Sequence, residues 1–225
     1  MKYLIFGLFC IVRSLSFADD DCKTENLEKE FKFLKELTPK CFSEEGYEWT
    51  NPEETMAKIM KDVTPEEVVT RLIFAESLAS NCSFEKLDKV SESIAWTIHN
   101  RNWAKSNAYG IGLKNIVFKN SQFRSSFADY DVAKRKEFLC PTGNNNFKKL
   151  WGLAYDSFEK TILKPESNPM KPVRNYFFPN HFKDSKNPKI QKWHGTFPKW
   201  ANEKTLYTSP NFSPNKECIL LYNLH

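Results

Sequence analysis

The sequence predicts a mainly α-helical chain with little β-sheet and an irregular, aromatic-rich C-terminal third. Three observations carry this. Between residues 51 and 163, apolar residues recur at helical spacing in several separate runs. Glycine occurs 7 times in 225 residues, too seldom for a turn-dense all-β fold or a Gly-rich phosphate loop. From residue 165 onward, proline, asparagine and aromatic residues replace the periodic runs, as extended loops and at most a short strand pair would require.

The elements follow in chain order. Lys2, an apolar run over 3–12 and the small-residue site Ser16-Phe17-Ala18 read as a secretory signal over 1–18. That run is too short to span a bilayer as a helix, so the expected location is secreted or periplasmic, without stable membrane insertion. Residues 19–62 read as an N-terminal helical cover. One helix is expected over 26–36, with Leu27, Phe31 and Leu34 at helical spacing. A second starts at Asn51-Pro52-Glu53-Glu54 and carries Met56, Ile59 and Met60. Residues 63–225 form the main domain.

The segment VTPEEVVTRLIFAESLAS opens that domain with strong start signals. Thr64 is the expected N-cap, Pro65 fits the first helical position, and Glu67 completes a Thr-x-x-Glu capping box. Steps of three and four from Val69 reach Leu72, Ile73, Glu76 and Ala79, so a carboxylate shares the stripe that faces the core. A lone buried carboxylate is costly to ionise, and desolvation raises its pKa, which suits a general acid. The plainer reading sets Glu76 at a helix edge or pairs it with an arginine such as Arg71 or Arg101.

Further helices are expected over 84–103, with Phe84, Leu87, Val90, Ile94, Ala95 and Ile98 inward, and over 146–163, with Phe147, Leu150, Trp151, Ala154, Phe158 and Ile162 on one face. Between them lie a loop with Gly110 and Gly112 and a short segment through Ile116, Val117 and Phe118.

Composition bounds the function more loosely. At 40% hydrophobic and 15% aromatic, with 19 Phe, the chain can bury a core. A net charge of +5 suits an anionic polymer, and lysine-rich solvated faces explain it equally well. Five cysteines follow the leader: Cys22, Cys41, Cys82, Cys140 and Cys218. No Cys-x-x-Cys pair exists, so disulfides are expected rather than a metal site. Cys22 with Cys41 and Cys82 with Cys140 are the pairings the layout suggests, leaving one thiol over. The four histidines show no metal-binding spacing, and no metal or cofactor is expected. A triad of His181, His194 and Asp184 lacks any nucleophile elbow.

Several segments together resemble the bacterial cell-wall hydrolase family typified by spore-cortex-lytic enzymes. The resemblance runs from about Arg71 to Trp200. RLIFAES resembles that family's catalytic helix, SIAWTIHNRNW its helix ending in Asn-Arg, and NIVFKNSQFRS its Gln-Phe-Ser-type loop. WGLAYDSF resembles a Trp- and Ala-containing helix, and NYFFPNHF with WHGTFPKW resembles the aromatic end. Ser77 after Glu76, Arg124 inside the Gln-Phe-Ser loop, and an insert over 128–146 depart from the pattern.

The resemblance implies a lysozyme-like catalytic domain over 63–225, cleaving the bond between N-acetylmuramic acid and N-acetylglucosamine. Its partners would be peptidoglycan glycan strands, not nucleic acid, and the chain would act as a monomer. Glycoside cleavage needs an acid for the leaving oxygen and a group that stabilises an oxocarbenium-like charge. No second carboxylate suggests itself: Asp129 and Asp131 lie in the polar insert, and Glu92 falls on a face read as solvated. A single acid suits a lytic transglycosylase, in which the sugar's own hydroxyl replaces water. A hydrolysing lysozyme and a non-catalytic wall-binding module are the alternatives. Catalysis is assigned to Glu76, and glycan binding to Ser77, Gln122, Phe123 and Tyr176, with Tyr176 expected beside Glu76. The plain readings are a helix serine, a surface glutamine and core aromatics. Asn100 and Arg101 are read as capping the helix end or bracing the site, the structural role being favoured, and Trp193, His194 and Trp200 are expected to pack or to wall the sugar.

Overall fold

In the computed structural model the chain divides into two units, Met1–Leu37 and Thr38–His225. The structure describes residues 32, 35–36, 38–119, 122–123, 127, 132–171, 173–178, 204–209, 212, 214, 216 and 218–223. The leader expected at 1–18 and most of the helix expected over 26–36 therefore lie outside the described residues. So do Trp193, His194 and Trp200.

Within the second unit the described residues form six α-helices and two short strands. Helix α1 (Pro52–Ile59) begins with a proline in its first turn and two acidic residues, Glu53 and Glu54, that complement the helix dipole. It buries Met56 and Ile59, with Met60 just beyond it.

Helix α2 (Pro65–Ala79) starts as the sequence predicts. The Thr64 hydroxyl accepts from the Glu67 backbone N–H at 3.2 Å. The acidic half of the capping box is spent elsewhere, because the Glu67 carboxylate bonds to Arg71. The amphipathic reading of this helix is too narrow. All ten residues from Val68 to Ser77 are buried, and α2 packs against α3, α4, α5 and α6. A helix enclosed on every side sits at the centre of its core.

Helix α3 (Leu87–Trp103) follows a 3₁₀ turn at Phe84–Lys86. It too is buried well beyond one stripe. Glu92, expected on a solvated face, is 7% exposed. It accepts from Lys89 at 2.8 Å and from Lys160 of the last helix. This corrects the sequence reading: the two lysines neutralise a carboxylate that joins helices across the core.

Helix α4 (Leu113–Val117) is entered through Gly110 and Gly112, whose φ values of +91° and +87° few other residues adopt. Helix α5 (Val132–Leu139) lies in the insert that had no place in the expected pattern. Helix α6 (Phe147–Leu163) buries Leu150, Trp151, Ala154 and Phe158 as predicted.

The C-terminal third supplies a two-stranded antiparallel sheet. Strand β1 (Asn175–Phe177) pairs with β2 (Leu220–Tyr222), and Tyr176 stands opposite Leu221. Among the described residues no helix is long and apolar enough to cross a membrane.

Among the described residues two disulfides are formed, Cys41–Cys140 and Cys82–Cys218. Both expected pairings are therefore corrected. Cys41 is taken by a partner 99 positions away rather than by Cys22, and Cys82 by one 136 positions away rather than by Cys140. Packing of α5 against α2 brings Cys140 to the arm before α1. The strand pair brings Cys218 to the turn after α2.

Candidate functional site

The site is built around the middle of α2. Glu76 is 2% exposed, and it is not alone. Lys134 of α5 places its ammonium 3.1 Å from Glu76 Oε1, both side chains being almost fully buried. Neither arginine named in the plainer sequence reading makes this pair. Arg71 is turned to Glu67 and to three backbone carbonyls, those of Lys40, Phe138 and Leu139. Arg101 lies close enough to Glu76 to feel its charge but hydrogen-bonds elsewhere.

Tyr176 arrives from strand β1. Its phenol oxygen is buried beside the Glu76 carboxylate, without good hydrogen-bond geometry to it or to any other group among the described residues. Burial, and the neighbouring Glu76 charge, push the Tyr176 hydroxyl well above its ordinary range, while Arg101 pulls the other way. The phenol therefore stays a neutral donor. Tyr176 as a whole is half-buried with its hydroxyl enclosed, whereas Glu76, Lys134, Arg101, Phe123 and Phe178 are buried.

Local sequence explains how Tyr176 is held. Asn100 and Arg101 end α3 facing the incoming C-terminal segment. The Asn100 amide donates to the carbonyls of Met170 and Val173 at 3.1 and 2.7 Å and accepts from Asn168 at 2.6 Å. Arg101 Nε donates to the Arg174 carbonyl at 2.7 Å. One Asn-Arg pair thus ties down Asn168, Met170, Val173 and Arg174, and the next two residues follow into the site. Their role here is structural, holding the segment that precedes β1.

Arg101 is enclosed by aromatic faces, with its guanidinium 4.6 Å from the Phe123 ring centre and 5.5 Å from that of Tyr109. Burial lowers its pKa, against the attraction of Tyr176, Tyr109 and Glu76. An arginine stays charged regardless. Its Nη1 is buried without a hydrogen-bond partner among the described residues.

The sequence-predicted residues divide. Glu76, Phe123 and Tyr176 come together, Phe123 packing 6.5 Å from Tyr176 between ring centres. Gln122 is partly exposed beside them, its amide 3.4 Å from the Ala108 carbonyl. Ser77 points away into the helix packing, where its hydroxyl meets that of Ser91 at 2.8 Å. That is the plain helix-serine role.

Sequence reasoning missed Lys134. It lies in the lysine-rich run VAKRKEFL, which reads as a solvated face, and its partner is 58 positions away. The available signal was weak: Val132, Arg135, Phe138 and Leu139 fall on one helical stripe.

A separate open groove of about 580 Å³ lies between α1 and α4, lined by Asn51, Glu54, Asn107, Ile111 and Asn115 among others. None of the predicted site residues lines it. Among the described residues no cluster of His, Cys, Asp and Glu could hold a metal ion.

Chemically, the group at Glu76 combines a carboxylate, an ammonium that balances its charge, a neutral phenol and a guanidinium with an unused donor. It can exchange a proton at the carboxylate and stabilise charge beside it. Compared with protein-family models, with curated proteins and with solved structures, the chain matches none.

Proposed function

We propose that this chain is an exported peptidoglycan-cleaving enzyme with a lysozyme-like helical domain, and that Glu76 is its catalytic acid. The observation that supports this is the company Glu76 keeps. Two buried donors, Tyr176 Oη beside the carboxylate and Arg101 Nη1 within reach of its charge, have no well-formed hydrogen bond among the described residues. Folded proteins keep few such groups, and each asks for an explanation. A bound sugar, rich in hydroxyl and amide acceptors, supplies one.

The proposed reaction is lytic transglycosylation. Glu76 gives its proton to the oxygen between N-acetylmuramic acid and N-acetylglucosamine, and the bond from that oxygen to C1 breaks. The C6 hydroxyl of the muramic residue attacks C1, and its proton returns to Glu76. A 1,6-anhydro end forms and no water is consumed. Acid–base transfer of this kind is worth roughly 10²–10⁴-fold in rate. Gln122, partly exposed next to the buried Phe123, carries an amide that can both donate to and accept from sugar hydroxyls.

A second reading has its own support. Because Lys134 balances Glu76, the carboxylate is tolerable in a fold that does no chemistry, and a non-catalytic wall-binding domain fits as well.

One experiment separates them. Purified peptidoglycan is digested with the chain, and the soluble fragments are read by mass spectrometry. Glu76→Gln and the charge-balanced double variant Glu76→Gln/Lys134→Met run alongside. Anhydro ends from the unmutated chain alone are the expected result. Reducing ends would replace the transglycosylase by a hydrolysing lysozyme of the same fold. Retained wall binding with no fragments would favour the binding domain, and full activity in either Glu76 variant would refute the mechanism.

A further inference from the structure

We infer that Lys134 is a positioning residue for the Glu76 carboxylate, held in place by an arm over residues 40–49 that clamps helix α5. The inference rests on the reading of Glu76 as the catalytic acid.

Helices α2 and α5 touch through two charged contacts. Glu76 meets Lys134 at 3.1 Å. Five positions earlier on α2, Arg71 donates to the carbonyls of Phe138 and Leu139, at 3.0 and 2.9 Å, at the other end of α5. Arg71 is 0% exposed, so this second contact is fixed within the core. Two ties spaced along both helices set the register and rotation of one against the other. The Lys134 ammonium is thereby aimed at one carboxylate oxygen.

The arm secures the same helix from outside. Cys41 is bonded to Cys140, the residue after α5. The Phe42 N–H donates to the Leu139 carbonyl at 3.2 Å, and Arg71 Nη2 reaches the Lys40 carbonyl at 2.6 Å. Arg135, next to Lys134, donates to Glu44 at 2.6 Å and lies 4.1 Å from the centre of the Trp49 ring. The arm therefore grips α5 at its end and at the residue adjoining Lys134.

Among the described residues, charged or titratable groups face Glu76 from different elements: Lys134 from α5, Arg101 from α3 and Tyr176 from β1. Of these, Lys134 lies within hydrogen-bond distance of the carboxylate, its ammonium 3.1 Å from Oε1. It engages Oε1 of Glu76 and so orients the carboxylate. It also stabilises the carboxylate that remains once the proton has been given away.

The test uses the full chain and solubilised peptidoglycan strands, with kcat and KM measured from pH 4 to 9. Lys134→Gln keeps a donor toward Glu76 and removes the charge, and Lys134→Arg keeps the charge. The expected result for Lys134→Gln is a kcat lower by roughly 10²-fold, the cost of an acid out of place, with KM unchanged. Removing a cation disfavours the ionised carboxylate, so the alkaline fall of the profile moves to higher pH. Lys134→Arg restores the profile and most of kcat.

An unmutated chain that yields no fragments removes the enzymatic reading and this inference with it. An active chain whose Lys134→Gln variant keeps the same kcat and profile overturns this inference alone. So does a Lys134→Arg variant as impaired as Lys134→Gln. If Lys134→Gln shows no cooperative melt, Lys134→Arg is judged by itself, and a profile that moves although the charge is kept refutes the proposal.

Discussion

Breaking the two disulfides should cost more than any single side chain in the core. In the chain-entropy model a cross-link stabilises by restricting the unfolded chain, and the effect grows with the logarithm of the loop it closes. Cys41–Cys140 spans 99 positions, which gives about 4.7 kcal/mol. Cys82–Cys218 spans 136, which gives about 5.0 kcal/mol. The two loops share residues 82–140, so each closure acts on a chain the other has already restricted, and the pair contributes less than the sum. The assay is urea unfolding of the unmutated chain, of Cys41→Ser/Cys140→Ser and of Cys82→Ser/Cys218→Ser, each with and without reductant. Each double variant should lose roughly 2–5 kcal/mol, a fall in Tm of very roughly 5–20 °C for a chain of this size. A further variant combining all four Cys→Ser substitutions should be unmoved by reductant. If reduction exposes four further thiols and the midpoint does not change, the reasoning fails.

The remaining expectations concern charge and backbone. Glu76→Gln leaves Lys134 buried without its counter-charge and should lower stability by about 3–5 kcal/mol, whereas Glu76→Gln/Lys134→Met should recover most of that loss. Equal Tm values for the single and double variants would refute the pairing. For Glu92, burial raises the carboxyl, but Lys160 and Lys89 outweigh it and hold it below its ordinary value. A carboxyl lowered on folding contributes stability that is complete above its unfolded value, about 4.3, and is lost as pH falls through its folded value. Glu92→Gln should therefore cost roughly 1–2 kcal/mol at pH 7. Thermal melts should show that gap closing as the pH drops below about 4, and a gap unchanged at pH 3 would count against it. At Gly110 a Cβ would meet the Asn115 carbonyl oxygen at 2.7 Å, whereas at Gly112 nothing lies within 4 Å. Both have positive φ, so Gly112→Ala should cost about 1 kcal/mol of strain and Gly110→Ala clearly more. Similar urea midpoints for the two variants would contradict the close approach.

What could be read from the sequence was local. The Thr64 cap, the proline at the start of α2 and the buried position of Glu76 follow from spacing along one helix. Tyr176 beside Glu76, and the brace of Asn100 and Arg101, came from the ordered run of segments rather than from periodicity. What escaped was set by distant packing. A stripe on a helical wheel says which side is buried first, but it cannot say that α2 is enclosed on every side. Lys134 and Glu92 were both assigned to water by residue type, yet each finds an opposite charge across a helix interface. Buried charges are paired because an unpaired one is too costly, and the partner is named by the fold. The disulfides failed for a similar reason. Several pairings satisfy the count of cysteines, and separation along the chain does not choose among them.

The order of those four cysteines has a further consequence for a protein exposed to proteases. The bonds interleave, 41 with 140 and 82 with 218. A single cut between 41 and 82 leaves the pieces joined by the first bond, and one between 140 and 218 leaves them joined by the second. A cut between 82 and 140 falls inside both loops, and the halves stay joined twice. Whichever surface loop a protease opens along this stretch, the segments bearing Glu76, Lys134 and Tyr176 remain one covalent body. A nicked molecule would run as two bands on a reducing gel and as one on a non-reducing gel.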